Sequence, residues 1–167
     1  MRKTIFFVKS NEDVNLCPIC DGLLAYRDSR TRSYLEEGRK KTTLIIRRLK
    51  CKQCATHHSE LPDIISPNKH YKSTVIEDVV DDLVGSEDEL AEDYPCSITR
   101  KRWMDWIRKN VTRIDGYIKS VGYRLLDFSE LFLKDSTSLL NTLRINGLEW
   151  LGIVNRLIYN SGGFLTT

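Results

Sequence analysis

Cys17-Pro18-Ile19-Cys20 and Cys51-Lys52-Gln53-Cys54 are two C-x-x-C pairs, and thirty residues lie between them. A cysteine pair at this spacing turns so that both sulfurs face one metal ion, and two pairs complete a tetrahedral zinc site. Pro18 favours the tight turn of the first pair. Because the insert exceeds the common spacing of about 15 to 20 residues, we expect the metal to join the ends of a long hairpin. The predicted ligands of one structural Zn2+ are Cys17, Cys20, Cys51 and Cys54.

Two other uses of these cysteines are reduced thiols in the core and disulfides. Two pairs in so short a chain disfavour the first use. Disulfides fit poorly because the apolar stretch from Ile5 to Val8 is shorter than the core of a signal peptide, and because Cys96 would lack a partner. We therefore expect a cytoplasmic protein with reduced, metal-bound thiols. His57 is an alternative ligand that could replace one thiolate.

The composition, with 41% hydrophobic and 29% charged residues, is that of an ordinary soluble globular protein. No apolar run approaches the roughly 20 residues of a membrane span. The net charge of +3 conceals a segregation: residues 1–60 carry 13 Lys/Arg against 7 Asp/Glu, residues 61–99 carry 2 against 10, and residues 100–167 carry 11 against 6. Two basic segments around an acidic one are compatible with a polyanionic partner, and equally with faces that neutralise one another.

β-branched and aromatic residues predict strands over residues 4–8, 23–27 and 42–50. The third strand enters the second cysteine pair opposite the strand that leaves the first pair, which is the zinc-ribbon arrangement. Residues 29–41 are polar and are predicted to form an exposed loop or hairpin tip. A core of fewer than about 70 residues rarely supports itself, so the metal would stabilise the ribbon. Arg47 and Arg48 are candidate phosphate contacts, although a basic sheet surface is as often simply solvated.

Beyond a proline-punctuated linker over residues 61–69, the pattern is helical. Thr74 and Glu77 match a capping box and open a helix that is expected to stop at Gly85. A second capping box opens a short acidic helix that reaches about residue 93. The remaining predicted helices cover residues 98–114 after an N-cap at Ser97, residues 116–134, a stretch to about residue 145 after an N-cap at residues 135–137, and residues 148–159.

The helix expected from Ser97 to about Ile114 is the second informative stretch. One face of its helical wheel is predicted to be buried: Trp103, Trp106, Ile107, Asn110 and Ile114. Basic residues project from its first turns. The predicted order is a helix, a short helix, a tight turn and a helix with a basic N-terminus, which is the order found in a helix-turn-helix. The recognition helix of that motif reaches base edges in the major groove. Any small bundle with one cationic face gives a similar pattern. We predict DNA contacts from Thr99, Arg100, Lys101, Arg102, Arg108 and Lys109.

The sequence offers no catalytic constellation. The carboxylates concentrate in the predicted acidic helices, and there is no glycine-rich phosphate loop, HExxH or G-x-S-x-G motif. A four-cysteine metal site also has no open position for a water molecule. We therefore expect that the protein is not an enzyme.

The chain resembles an uncharacterised zinc-ribbon family of Firmicutes, a domain-of-unknown-function family. The resemblance lies in the two cysteine pairs, in the strand before the second pair and in the run His57-His58-Ser59-Glu60-Leu61-Pro62. They are also similar to the zinc-ribbon plus helix-turn-helix N-terminal regions of insertion-sequence transposases. The resemblance extends over roughly residues 15–110 and is most specific in the cysteine pairs. It implies sequence-specific DNA binding. Transposases carry a downstream RNase H-like domain with three acidic residues, for which this chain has no room.

These observations predict an α+β protein with three parts: a zinc-ribbon domain over residues 1–66, a helix-turn-helix-like domain over residues 67–115, and an all-α C-terminal extension over residues 116–167. The predicted function is zinc-stabilised binding of double-stranded DNA by a bacterial protein, in transposition or transcription regulation. The C-terminal helices are a scaffold, or a surface for a homodimer or a protein partner. The alternatives are a protein-protein interaction adaptor that contains zinc but binds no nucleic acid, and RNA binding by the basic ribbon.

Overall fold

The computed structural model describes residues 5–12, 14–83, 94–126, 130, 134, 138–146 and 149–167. Within these residues a four-stranded sheet precedes four helices, and the predicted α+β class is confirmed. The strands are β1 (Ile5–Phe7), β2 (Leu24–Leu35), β3 (Lys41–Cys51) and β4 (His57–Ser59). The helices are α1 (Ser73–Val80), α2 (Ser97–Leu126), α3 (Leu139–Asn146) and α4 (Trp150–Asn160). Among the described helices, none combines the length and the apolar character that a membrane crossing requires.

Strand β3 lies at the centre of the sheet. On one side it pairs antiparallel with β2 over almost its whole length, from Leu35↔Lys41 to Leu24↔Cys51. On the other side β1 runs parallel to its first half and β4 antiparallel to its last residues. The register therefore brings the start of β2, which follows the first cysteine pair, next to the end of β3, which enters the second pair.

The prediction of a loop over residues 29–41 is wrong, because β2 continues to Leu35 and a short 3-10 turn follows at Glu37–Arg39. The polar residues of β2 alternate between two environments. Tyr34 is buried, and the guanidinium of Arg32 donates to the carbonyl oxygens of Ser66 and Lys69 at 3.3 and 2.8 Å. A polar strand whose side chains bond across the sheet has the composition of a loop, and only its pairing with β3 distinguishes the two.

Helix α2 is a single helix of 30 residues, so the predicted end near Ile114 is wrong. Gly116 lies on its exposed side, where a glycine costs a helix only about 1 kcal/mol. The buried face continues past it with Ile118, which is fully buried. The predicted buried face is confirmed for Trp103, Trp106, Ile107, Asn110 and Ile114.

The capping box predicted for Thr74 and Glu77 does not form. Helix α1 begins after Lys72 without a side-chain cap, and the Thr74 hydroxyl donates to Glu37 instead. Glu77 is buried and accepts hydrogen bonds from the backbone N–H groups of Glu149 and Leu151 at 3.1 and 2.7 Å. It therefore caps the start of α4 rather than that of its own helix. The helix predicted to continue to a stop at Gly85 is shorter than expected, because α1 ends at Val80 with Asp81 as its C-cap. The predicted acidic helix and the N-cap at residues 135–137 lie outside the described residues.

The predicted linker over residues 61–69 is a packed seam between the sheet and the helices. Ile65 and Ser66 are fully buried, and Asn155 of α4 donates to the Ser66 hydroxyl at 2.9 Å. The ammonium group of Lys69 lies 4.2 Å from the ring centroid of Trp106 in α2. Proline punctuation indicated the absence of regular structure here, but it carried no information about burial.

Candidate metal centre and the basic residues around it

The four predicted ligand cysteines converge at the end of the β2–β3 hairpin. Their sulfurs all lie within 4.8 Å of one another, with Cys17 to Cys54 at 3.7 Å and Cys20 to Cys51 at 3.5 Å. A tetrahedral ion with metal–sulfur bonds of about 2.3 Å holds its sulfurs about 3.8 Å apart, whereas a disulfide requires about 2.05 Å. All four are free thiols. The cluster can therefore hold a metal ion.

Gly22 allows the two cysteine pairs to approach each other. The backbone N–H of Cys17 donates to the Gly22 carbonyl oxygen at 2.9 Å, which closes the first turn. A Cβ atom at position 22 would lie 2.8 Å from the Cβ of Gln53 and 3.0 Å from the sulfur of Cys51. Any larger residue would therefore push the second pair away from the first.

The second cysteine pair is organised by hydrogen bonds to sulfur. The backbone N–H groups of Gln53 and Cys54 donate to the sulfur of Cys51 at 3.3 and 3.4 Å. The Thr56 hydroxyl lies 3.2 Å from the sulfur of Cys54. N–H donors to sulfur stabilise thiolates, which are the form of cysteine that binds a metal. The Cys54 thiol donates to the Thr56 hydroxyl oxygen here, and that hydroxyl can donate to the sulfur once the thiol has ionised.

The pKa values of Cys54 and Cys20 are shifted in opposite directions. Hydrogen bonds from the hydroxyl and backbone of Thr56 lower the pKa of Cys54 to about 6. The backbone N–H of Gly22 lowers the pKa of Cys20, but burial and the neighbouring cysteines outweigh it and raise the pKa to about 12. Without a cation, thiolates at these distances repel one another. A divalent metal ion removes this obstacle and releases protons as it binds.

The two histidines of β4 point to different neighbours. The ring nitrogen Nε2 of His57 lies 3.1 Å from the guanidinium of Arg27, so His57 does not face the cluster. The Nε2 atom of His58 lies 3.3 Å from the sulfur of Cys17. His58 was not among the residues predicted to contact the metal site. Successive strand residues face opposite sides, so only one histidine can reach the cluster, but the choice between them requires the register of β4 on β3.

The predicted phosphate contacts of β3 are held in ion pairs. Arg47 forms two hydrogen bonds with Glu60 at 2.5 and 2.6 Å, and both side chains are about 14% exposed or less. Arg48 forms a similar pair with Asp28, at 2.5 Å for each bond, and is more exposed. Their charges are largely neutralised by these carboxylates.

The predicted contacts at the start of α2 divide into two groups. The Nε atom of Arg100 donates to the Pro95 carbonyl oxygen at 2.9 Å, and its guanidinium lies 5.9 Å from the ring centroid of Tyr94. The Thr99 hydroxyl lies 3.5 Å from the sulfur of Cys96. These two side chains contact the segment that precedes the helix. The others are exposed on α2: Lys101, Arg102, Arg108 and Lys109.

The exposed basic residues of α2 continue beyond those predicted from the sequence. We define the cationic face of α2 as Lys101, Arg102, Arg108, Lys109, Arg113 and Lys119, all of which are exposed. At 1.5 Å per residue the face is about 27 Å long. Among the described side chains of α2, Asp105 is the carboxylate on this face, and it lies 3.0 Å from Arg108. Because the helix was expected to end near Ile114, Lys119 was not predicted to belong to this face.

The chain matches a known protein family. The sequence profile of a family described as Domain of unknown function (DUF6431) matches residues 17–103, which is slightly more than half of the chain. The matched segment includes both cysteine pairs, His58 and the first turns of α2. No curated protein and no solved structure matches the chain.

Proposed function

The chain belongs to the DUF6431 family, whose description assigns no activity, and from its own geometry we propose that it is a zinc-stabilised protein that binds double-stranded DNA. The proposal has a metal part and a DNA part. The two parts rest on different residues, the cysteine cluster and the cationic face of α2. Each part can therefore be tested by a separate measurement.

The metal part assigns Zn2+ to Cys17, Cys20, Cys51 and Cys54. Four thiolates in a tetrahedral arrangement are the donor set that zinc takes in structural sites, where no position is left for a water molecule. The role is therefore structural, and the protein is not proposed to be an enzyme. A reducing compartment keeps such thiols available for a metal, which supports a cytoplasmic location. Elemental analysis of protein purified without added metal should find about one zinc per chain.

The DNA part is carried by one observation, the cationic face of α2. Lys101, Arg102 and Lys109 are exposed and form no ion pair with the residues that the structure describes. Their charges can therefore meet phosphates without first breaking an internal contact. In this proposal Lys101 and Arg102 approach the bases, while Arg108 and Lys109 hold phosphates.

The proposal changes the roles of three predicted contacts. Arg47 and Arg48 stabilise the sheet through their carboxylate partners. Arg100 positions the start of α2 by its contacts with Tyr94 and Pro95. The helix-turn-helix arrangement, the resemblance to transposase N-terminal regions and a role in transposition or transcription regulation remain parts of the proposal. The C-terminal helices would then be a scaffold or a surface for a homodimer or a protein partner.

The test is duplex binding over a range of salt concentrations. The logarithm of the binding constant falls linearly with the logarithm of the salt concentration, and each lost phosphate contact reduces the magnitude of this slope by about 0.9. The double variant Lys101→Ala/Lys109→Ala removes one cation near the bases and one phosphate contact, so it should bind a mixed-sequence duplex more weakly and with a slope smaller by about 0.9. The matched control Lys9→Ala/Lys134→Ala removes two exposed lysines outside α2 and should leave the slope unchanged. Equal slopes for both double variants would contradict the DNA part.

A protein-interaction adaptor is the second candidate, and one observation favours it. Strand β1 exposes Ile5, Phe6 and Phe7, each by more than half of its surface, and an exposed apolar strand can pair with another chain. The adaptor predicts one zinc per chain without salt-dependent binding to duplex DNA. The same two measurements therefore distinguish the two functions.

A further inference from the structure

His58 lies beside the cysteine cluster without belonging to it. Its Nε2 atom is 3.3 Å from the sulfur of Cys17, yet among the described residues the group of mutually close ligand atoms contains cysteines alone. We propose that His58 is a positioning residue of the metal centre, whose Nε2–H donates a hydrogen bond to the Cys17 thiolate. This inference deepens the metal part of the proposed function.

The charge of the metal centre requires hydrogen-bond donors to its sulfurs. Four thiolates and one Zn2+ leave two negative charges in a partly buried site, and N–H or O–H donors to sulfur offset them. Three of the four sulfurs have such donors close in the chain. Cys51 accepts from the N–H groups of two following residues, Cys54 has the hydroxyl and backbone of Thr56, and Cys20 has the backbone of Gly22.

Cys17 obtains its donor from a distant part of the chain. Its sulfur contacts the imidazole of His58, which lies 41 residues further along. Strand β4 fixes this imidazole, because Leu49 and His58 are partners in the β3–β4 ladder. The hydrogen bond would therefore fix both the orientation of the Cys17 side chain and the distance between β4 and the first cysteine pair.

The neighbouring histidine provides a matched control. His57 is on the same strand and its ring faces Arg27, so His57→Ala removes an imidazole without removing a donor to sulfur. The variant His58→Ala removes the donor. In His58→Gln a side-chain N–H2 group can replace it. Circular dichroism of all three metal-loaded variants verifies that they are folded.

Two measurements test the proposal: zinc affinity by competition with a chromophoric chelator, and the absorption spectrum of the Co2+-substituted protein. We expect His58→Ala to bind one metal with 10- to 100-fold lower affinity, as is typical when a donor to a ligand is lost. Its thiolate-to-cobalt charge-transfer bands should shift while their intensity still indicates four sulfur ligands. We expect His58→Gln to recover part of the affinity and His57→Ala to match the wild type.

Three outcomes would overturn the inference or its premise. Equal affinities and spectra for His58→Ala and His57→Ala would show that His58 does not act on the metal centre. If the wild-type spectrum indicated three sulfurs and one nitrogen, and His58→Ala changed that ligand set, His58 would be a ligand rather than a donor to one. A wild-type protein that binds no metal would instead contradict the proposed function itself.

Discussion

The sheet half of the protein (residues 5–66) and its helical half (the described residues from 73 onward) are stabilised in different ways. The buried cluster of the sheet half is small, consisting of Tyr34, Leu44, Ile46 and Ile65. The cluster of the helical half is larger and contains all three tryptophans: Trp103, Trp106 and Trp150. A small hydrophobic core needs additional stabilising interactions. In the sheet half these interactions are the cysteine cluster and the ion pairs of Arg47 and Arg48.

This difference explains what the basic residues do. In the sheet half Arg32, Arg47 and Arg48 bond to carbonyl oxygens or carboxylates of the same chain. In the helical half the buried side of α2 supplies the packing, and Lys101, Arg102 and Lys109 on its exposed side form no ion pair with the described residues, whereas Arg113 contacts Phe164. An excess of Lys and Arg in a segment therefore does not by itself indicate a surface for a polyanion.

Removal of the metal should have the largest effect and should separate the two halves. Binding of a structural zinc is worth roughly 10–16 kcal/mol in small zinc domains. We expect a chelator to abolish hydrogen-exchange protection of β2 and β3 while the amides of α2 stay protected. The variant Cys51→Ser should reproduce this result, whereas Cys96→Ser, which lies outside the cluster, should not. Protection lost together in both halves would show that the helical half also depends on the metal.

The pH dependence of stability should reveal the buried carboxyl group of Glu77 in the helical half. Burial raises the pKa of Glu77 to about 7, despite the backbone N–H groups of Leu151 and Glu149 that lower it. Between the ordinary value of 4.5 and about 7, the folded state holds more protons than the unfolded state. The contribution of Glu77 to the free energy of unfolding should therefore fall as the pH rises through this window, by up to about 3 kcal/mol.

The variant Glu77→Gln tests this assignment because its side chain does not ionise. Urea denaturation at several pH values should show that the wild type loses free energy of unfolding relative to the variant as the pH rises from 4.5 to 7. Glu36 and Asp28 have lowered pKa values through hydrogen bonds from Thr42 and Arg48, so their effects lie below this window. Parallel curves for the variant and the wild type would contradict the role of Glu77.

The sequence allowed prediction of features that depend on local spacing. The cluster of four cysteines follows from two C-x-x-C pairs, and the buried face of α2 follows from helical periodicity. Features that depend on contacts between distant residues were not predictable. Glu77 matched a local capping box, but its partners lie more than 70 residues away. The choice of His58 over His57 likewise depends on strand register, which polar composition does not specify.

The neighbouring arginines of β3 test whether burial determines the contribution of an ion pair. Arg47 and Glu60 are 14% and 13% exposed, whereas Arg48 and Asp28 are 38% and 37% exposed. Arg47→Ala leaves a poorly hydrated carboxylate without its partner and should lower the free energy of unfolding by about 2–3 kcal/mol. Arg48→Ala should lower it by clearly less, because solvent screens this exposed pair. Equal losses in urea denaturation would contradict this difference, and neither variant should change the salt dependence of DNA binding.

The variant Lys119→Ala should have the smallest effect on the free energy of unfolding. It contrasts with Arg47→Ala, which should lower stability without changing the salt dependence of DNA binding. Lys119 is exposed at the far end of the cationic face, and surface substitutions of this kind change stability by no more than about 0.5 kcal/mol. If the whole face contacts phosphates, Lys119→Ala should lower the salt slope of duplex binding by about 0.9. An unchanged slope for Lys119→Ala, combined with a reduced slope for Lys101→Ala/Lys109→Ala, would limit the DNA contact to the first turns of α2. Since Lys119 lies about 27 Å along the helix axis from Lys101, this single variant measures how far along α2 the duplex extends.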